Sequence, residues 1–187
     1  VQRTEGLRYS PDNVLVGPGT KELMFLVQLV YYGDLVIPSP SWVSYAPQAR
    51  IIGRHIHWLR TRPETGLGVE PEALEELCAR DPDRPRLLIL NTPSNPTGLC
   101  YDAEQLQAIA EVLRKYRVLA LSDEIYSGTH FTDGHLSLAR YYPEGTIISN
   151  GLSKWCGAGG WRLGFFVFPE SLSWLADAMA AVASETF

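Results

Sequence analysis

One lysine with chemically suitable neighbours lies in the glycine-rich segment formed by residues 150–164. Ser153 directly precedes Lys154, and Arg162 follows eight residues after that lysine. A lysine amine attacks a carbonyl carbon once burial or a nearby cation lowers its pKa, whereas a guanidinium and a hydroxyl bind phosphate oxygens. Glycines around such groups let the backbone approach a ligand closely. These residue types therefore indicate a site for a small aldehyde that also carries a phosphate.

A second segment suited to a phosphate lies near the start of the chain. Gly17 to Lys21 forms a glycine-rich turn, and a helical pattern of apolar residues follows it and ends before Gly33. Free backbone N–H groups at the start of a helix favour an anion. An ordinary loop-to-helix junction here, and an ordinary solvated side chain at Lys154, are the simpler alternatives. The other elements of the chain must decide between them.

Further polar and aromatic groups follow short apolar runs that predict buried strands. The runs are residues 13–16, 34–38, 86–90, 118–121 and 146–149. The groups that come after them, in that order, are Thr20, Trp42, Asn95, Asp123 and Lys154. Ligands of open α/β sheets bind beyond the carboxyl ends of the strands, so this pattern predicts one site at one edge of a sheet. A core position for Trp42 and a capping role for Asp123 are the alternatives.

Alternating strand and helix patterns predict a mostly parallel sheet that is covered by helices on both faces. Helices are expected after Lys21, from Pro71, and over residues 103–116 and 172–182, with a short helix or loop over 133–142. Further strands are expected over 54–59 and 163–168. His55 and His57 share one face of the first of these, but no third metal ligand is evident nearby, so we predict no metal site. His130 and His135 show no chemical grouping.

Composition excludes several classes of protein. A net charge of -5 over 187 residues argues against a nucleic-acid or membrane surface as the main partner. The longest apolar stretch, residues 23–32, is too short to span a bilayer. Cys78, Cys100 and Cys156 lack metal-binding spacing, so reduced thiols in a cytoplasmic protein are expected. Because the chain begins with Val1, it is expected to be part of something longer.

Five short motifs, taken together and in order, resemble the class I/II aminotransferases of the pyridoxal phosphate (PLP) fold-type I superfamily. The match extends from about Asp12 to the last predicted helix. The motifs are Gly19-Thr20-Lys21 with Trp42, Asn95-Pro96-Thr97-Gly98, Asp123 with Tyr126, Ser153-Lys154, and Gly160-Trp161-Arg162-Leu163-Gly164.

The resemblance implies a role for each matched residue. Lys154 corresponds to the lysine that forms the Schiff base with PLP and moves a proton during catalysis. Asp123 corresponds to the carboxylate that pairs with the pyridine nitrogen, and Tyr126 and Asn95 to two donors to the phenolate oxygen. Trp42 corresponds to the ring that stacks on the cofactor. The remaining residues correspond to the phosphate-binding group: Gly19, Thr20, Lys21, Ser153 and Arg162.

The resemblance also implies a fold and a domain organisation. The expected architecture is a three-layer α/β/α sandwich whose seven-stranded sheet is mostly parallel with one antiparallel strand. Residues 1–187 are expected to be the PLP-binding large domain, without the N-terminal arm and the C-terminal small domain that carries the family's substrate-binding arginine. The family implies a homodimer. Cys156, where the family often has a bulky residue, and the glycines at 157–160 depart from the pattern.

The implied activity is transfer of an amino group from an amino acid to a 2-oxo acid, with this chain inactive when alone. A PLP-dependent C–S or β-lyase of the same superfamily is one alternative, because it shares every motif. An aminotransferase-like effector domain of a transcriptional regulator is another, although this chain shows no helix-turn-helix.

Overall fold

Seven short strands form one sheet in the computed structural model, which describes residues 7–129 and 134–187. The strands are β1 (Val14–Gly17), β2 (Asp34–Ser39), β3 (Ile56–Arg60), β4 (Arg86–Asn91), β5 (Leu119–Asp123), β6 (Thr146–Gly151) and β7 (Gly164–Val167). Their order across the sheet is β1-β7-β6-β5-β4-β2-β3. β7 is antiparallel to both neighbours and every other pair is parallel, which confirms the predicted sheet.

The described residues also form five α-helices: α1 (Thr20–Val30), α2 (Tyr45–Ile51), α3 (Pro71–Ala79), α4 (Ala103–Lys115) and α5 (Ser173–Ala183). The capping box predicted from Asp102 and Gln105 is present at the start of α4, where it satisfies backbone donors that have no partner inside the helix. Within the expected helix or loop over 133–142 the structure forms a single 3₁₀ turn, Leu138–Arg140. His130 and position 133 lie outside the described residues. Every described helix is too short or too polar to cross a membrane.

Alternating side chains along the strands create two apolar cores, one on each face of the sheet. Leu87 and Ile89 pack with α1, α2 and α5, whereas Leu88 and Leu90 of the same strand pack with α3 and α4. The central parallel strands are therefore apolar on both faces, which is why they appear in the sequence as continuous hydrophobic runs. The predicted three-layer α/β/α arrangement is confirmed.

Parallel pairing brings the ends of three central strands to the same level. Asn91 of β4 pairs with Asp123 of β5, which in turn pairs with Ser149 of β6. The loops that follow β4, β5 and β6 consequently leave the sheet side by side. This edge holds the candidate site.

Candidate functional site

A cavity of about 280 Å³ lies at the carboxyl edge of the sheet. Its wall includes all the residues predicted for the site except Gly19, which lies behind Arg162. The wall also includes four further residues, of which Gly159 belongs to the glycine-rich segment expected to approach a ligand and the other three were missed. The predicted residues in the wall are Thr20, Lys21, Trp42, Asn95, Asp123, Tyr126, Ser153, Lys154 and Arg162. The additional ones are Tyr45, Asn91, Ile125 and Gly159.

Arg162 and the start of α1 form one end of the cavity. The Arg162 guanidinium donates to the backbone oxygens of Gly159 at 2.8 Å and Pro18 at 3.3 Å. Gly19 has a φ of 100°, and a Cβ added there would lie 2.3 Å from a guanidinium nitrogen of Arg162. A Cβ added at Gly164 would lie 2.3 Å from the Thr20 backbone nitrogen. Only glycines therefore allow an arginine and the amides of a helix start to come this close.

The cavity wall also holds the Asp123 carboxylate, which is buried at the end of β5. Tyr45 donates its hydroxyl proton to Oδ2 at 2.5 Å, and the Ser149 hydroxyl lies 3.4 Å from Oδ1. Burial raises the pKa of Asp123 to about 6, although the hydrogen bonds from Tyr45, the Ile125 amide and Ser149 act in the opposite direction. A cation placed against this carboxylate would lower that pKa again, so the wall suits a protonated ring nitrogen.

Lys154 reaches the cavity from the segment that follows β6. Its ammonium nitrogen lies 5.5 Å from the ring centroid of Tyr126, so the amine and the phenol occupy the same part of the wall. Asn150 ties the start of this segment to the loop after β5 by donating to the Ser127 hydroxyl at 3.0 Å. The Cys156 thiol, two residues past the lysine, lies 2.9 Å from the Leu152 oxygen. Lysine, phenol and carboxylate thus face one cavity from adjacent loops.

Trp42 combines the two roles that its sequence position left open. The ring is half-buried against the core and also lines the cavity. Its plane meets that of Tyr45 nearly at a right angle, with ring centroids 5.3 Å apart. The Lys21 ammonium lies 5.7 Å from the centroid of Trp42. An aromatic face beside a cation is therefore available to a planar ligand.

Asn91 is one of the functional residues that sequence reasoning missed. Its side-chain nitrogen donates to the Asp123 backbone oxygen at 2.8 Å, and its side-chain oxygen accepts from the Asn95 amide at 2.6 Å. Asn91 therefore joins the loop after β4 to the strand that carries Asp123. Its place directly after the apolar strand predicted over residues 86–90 was a usable signal.

A histidine pair lies at the amino edge of the sheet, away from the cavity. His55, His57 and Asp34 bring potential metal-ligand atoms within 4.8 Å of one another, which corrects the expectation that the pair lacks a third ligand. Both Asp34 oxygens already accept hydrogen bonds from Arg84, at 2.7 and 2.9 Å, and one also contacts His57 at 3.0 Å. Burial acts to raise the pKa of Asp34, but the hydrogen bonds from Arg84 and His57 outweigh it and leave that pKa below its ordinary value.

His135, for which the sequence showed no grouping, belongs to a buried polar cluster on the other face of β5. Its imidazole lies 3.0 Å from Glu124, whose other carboxylate oxygen accepts from the hydroxyls of Ser122 at 2.8 Å and Ser137 at 2.6 Å. Because successive strand residues face opposite sides, Asp123 points into the cavity and Glu124 points into this cluster. Because Asp123 and Glu124 are adjacent in the sequence, the sequence alone did not show that their side chains lie in different environments.

Known proteins match the chain along its whole length. The family model described as aminotransferase class I and II matches residues 1–187. The aspartate aminotransferase of Geobacillus stearothermophilus is 36% identical over 98% of this chain and 47% of its own length. The aspartate/prephenate aminotransferase of Thermus thermophilus is 34% identical over 99% of this chain and 47% of its own length. The chain thus spans about half the length of these relatives.

Solved structures give the same result. The structure of the Thermus thermophilus aspartate aminotransferase with maleate has a TM-score of 0.89 at 34% identity, covering 99% of this chain and 48% of that one. An aromatic aminotransferase from Pyrococcus horikoshii has a TM-score of 0.87 at 30% identity, covering 99% of this chain and 50% of that one. The similarity therefore includes relatives whose names give different substrates.

Proposed function

We propose that this chain, which belongs to the class I and II aminotransferase family, is the cofactor-binding part of an enzyme that moves an amino group from an amino acid to a 2-oxo acid. The family depends on PLP. The observation that carries the proposal is the single cavity in which Lys154, buried Asp123 and Arg162 meet. Matched relatives named as aminotransferases favour amino transfer over the lyase and regulator alternatives.

The chemistry of the cavity fits PLP at both ends. Arg162, Ser153 and the amides at the start of α1 would hold the phosphate, in a space that side chains at Gly19 and Gly164 would fill. Asp123 would pair with the ring nitrogen, and the face of Trp42 would lie against the ring. Bound PLP supplies an electron sink for the bonds at the substrate's α-carbon.

The residues of this chain have separate tasks in that reaction. The Asp123 carboxylate would keep a proton on the ring nitrogen, because an ion pair is favoured in a buried setting. Tyr126 and Asn95 would donate to the phenolate oxygen and stabilise its charge. The Lys154 nitrogen removes a proton from the substrate's α-carbon and later returns one. Asp123 ends β5, and Tyr126, Asn95 and Lys154 lie in the loops that leave the same edge of the sheet, so these groups line one cavity.

Borohydride trapping tests the cofactor site directly. Protein incubated with PLP and reduced should carry the cofactor on the peptide that contains Lys154, and Lys154→Ala should lose the label. Lys115, which is exposed and paired with Glu75 at 2.5 Å, provides the matched control, since Lys115→Ala should keep it. A label on Lys21 or Lys115 in the wild-type chain would contradict the proposal. Glutamate formed from 2-oxoglutarate, rather than ammonia and pyruvate, would distinguish amino transfer from elimination in the whole protein.

We further propose an acidic amino donor. Among the described residues, the cationic side chains that line the cavity are Lys21, Lys154 and Arg162. The proposed chemistry uses only the last two. Lys21 is exposed and belongs to none of the salt bridges found among residues 7–129 and 134–187, so its ammonium is available to a carboxylate. An exposed ion pair of this kind contributes about 1 kcal/mol, or roughly fivefold in affinity. Lys21→Met in the whole protein should raise KM for aspartate by that factor and leave KM for alanine unchanged.

The whole protein is proposed to be a cytoplasmic homodimer in which residues 1–187 form the large, cofactor-binding domain. Trp155 and Trp161, beside Lys154 and Arg162 in the sequence, are 54% and 76% exposed. Large exposed apolar side chains bordering a site are suited to contact with another surface. Light scattering of the whole protein should give twice the mass of one chain, and a monomer that is fully active would contradict the proposal.

A further inference from the structure

We propose that Tyr45 is a positioning residue that binds one oxygen of the Asp123 carboxylate and leaves the other available to the cofactor ring nitrogen. The identity of that cofactor rests on the proposed function, whereas the contact between Tyr45 and Asp123 does not. The two residues are 78 positions apart in the sequence, and their hydroxyl and carboxylate oxygens lie 2.5 Å apart in the fold.

Tyr45 is held rigidly where it makes this contact. It is the first residue of α2, its side chain is 1% exposed, and it packs in the core beneath the cavity. Trp42 meets the tyrosine ring edge-on, so a movement of Tyr45 would also displace the aromatic face offered to the cofactor. The tyrosine thus fixes the carboxylate and the aromatic wall relative to each other.

The direction of the hydrogen bond follows from the burial of both groups. Burial, and then the adjacent Asp123 carboxylate, raise the pKa of Tyr45 well above its ordinary value. The hydroxyl therefore keeps its proton and donates a hydrogen bond to Oδ2. The Ser149 hydroxyl lies 3.4 Å from Oδ1, a long contact compared with the 2.5 Å contact at Oδ2. Because each carboxylate oxygen can accept more than one hydrogen bond, Oδ1 retains capacity to accept one from a ligand.

The surroundings of Asp123 show what the tyrosine contributes. Within β5 and its following loop, the Glu124 carboxylate disfavours charge on Asp123, whereas the Ile125 amide favours it. Ser149 from β6 and Tyr45 from α2 also favour the charged form. The cations Lys21, Lys154 and Arg162, and the phenol of Tyr126, face the same cavity. Burial and Glu124 raise the pKa of Asp123, and the hydrogen bond from Tyr45 lowers it. Removing the Tyr45 hydroxyl should therefore raise the pKa of Asp123.

A titration of the cofactor-free chain tests this without reference to activity. Carboxyl carbons labelled in aspartate, with the Asp123 signal assigned from Asp123→Asn, report the pKa by NMR. Tyr45→Phe should shift that pKa upward from about 6. Tyr101→Phe is the matched control, because Tyr101 is also buried and its oxygen accepts a hydrogen bond, from the Val69 amide at 3.0 Å. An unchanged or lowered Asp123 pKa in folded Tyr45→Phe overturns the proposal.

The wild-type chain offers a second measurement that does not depend on the folding of a variant. A short, buried O–H···O bond gives a downfield hydroxyl proton signal that exchanges slowly with water. Wild-type protein should show one such signal from Tyr45, and Asp123→Asn should move it strongly. A Tyr45 hydroxyl proton that exchanges freely would overturn the proposal.

Loading with PLP separates this inference from the proposed function. Tyr45→Phe should still be labelled at Lys154 after reduction, and in the whole protein should lower kcat while leaving KM unchanged. A Tyr45→Phe enzyme with the wild-type kcat and the wild-type pH profile would refute a positioning role. If wild-type protein fails to bind PLP at Lys154 but shows the NMR shifts, the proposed function fails and the contact between Tyr45 and Asp123 stands.

Discussion

Replacing Gly19 by alanine tests the shape of the phosphate end of the cavity. Two separate effects are expected in Gly19→Ala. A backbone with φ 100° and ψ 153° suits glycine almost exclusively, and such strain costs about 1–3 kcal/mol in other residues. The new Cβ would also lie 2.3 Å from the Arg162 guanidinium, which must move away.

The displaced arginine sets the expected loss of cofactor affinity. Arg162 would lose its donations to the Gly159 and Pro18 oxygens and its alignment with the phosphate. Hydrogen bonds to charged groups contribute about 1.5–3 kcal/mol, so PLP should bind roughly 10- to 100-fold more weakly. Together with the backbone strain, the free energy of unfolding of the cofactor-free chain should fall by about 2 kcal/mol.

Two other glycines separate the contributions. Gly157 has a φ of 66° and no atom within 4 Å of an added Cβ, so Gly157→Ala introduces backbone strain alone. Gly160 has neither a positive φ nor a nearby atom, so Gly160→Ala should change nothing. Urea denaturation and titration with PLP measure both quantities. If Gly19→Ala matches Gly160→Ala in stability and in PLP affinity, the described approach of Arg162 to Gly19 is wrong.

Three further predictions concern buried carboxylates. The folded pKa of Asp123, about 6, exceeds its unfolded value, so the cofactor-free chain loses stability as pH rises from about 4 to 6. Asp123→Asn should remove that loss, as measured by denaturation at several pH values. The same variant should lower turnover of the whole enzyme roughly 100-fold. The effect of Asp34 on stability has the opposite pH dependence, because the folded pKa of Asp34 is lowered. Its stabilising contribution is present above the unfolded pKa and is lost as pH falls through the folded pKa. Arg84→Ala should reduce this loss of stability in acid. Glu124→Gln should lower the free energy of unfolding by about 1–3 kcal/mol, since the buried hydroxyls of Ser122 and Ser137 would donate to a neutral amide oxygen instead of a carboxylate, and an unchanged urea midpoint would contradict the described cluster.

Much of the site could be predicted because it depends on strand ends. In a parallel sheet the carboxyl ends of the strands meet at one edge, so Asp123 and Lys154 had to come close once their strands were identified. The glycines at Gly19 and Gly164 gave a similar signal, because close backbone approach requires them. The mostly parallel sheet and the edge that holds the site therefore followed from periodicity and spacing, whereas the number of strands and the reversed strand were implied by the family resemblance.

Contacts between side chains of distant elements could not be predicted in that way. Tyr45 reaches Asp123 through the packing of α2 against the sheet, and nothing local to either residue specifies that direction. Asp34 joins the histidine pair because β2 and β3 are neighbours in register, and His135 lies beside Glu124 although the two are 11 residues apart in the sequence. Each contact depends on which face of a strand or helix a side chain occupies after packing.

The reversed direction of β7 has a consequence for ligand size. Because β7 runs opposite to β6, the connection between them begins and ends at the same edge of the sheet, with Gly151 paired to Gly164 at its base. Lys154 and Arg162 both belong to this one connection. Two of the groups that define the span between a carbonyl carbon and a phosphate therefore belong to a single hairpin. A shift of α1 would alter how firmly a phosphate is held by the amides of that helix, while the spacing of Lys154 and Arg162 within the hairpin would stay the same.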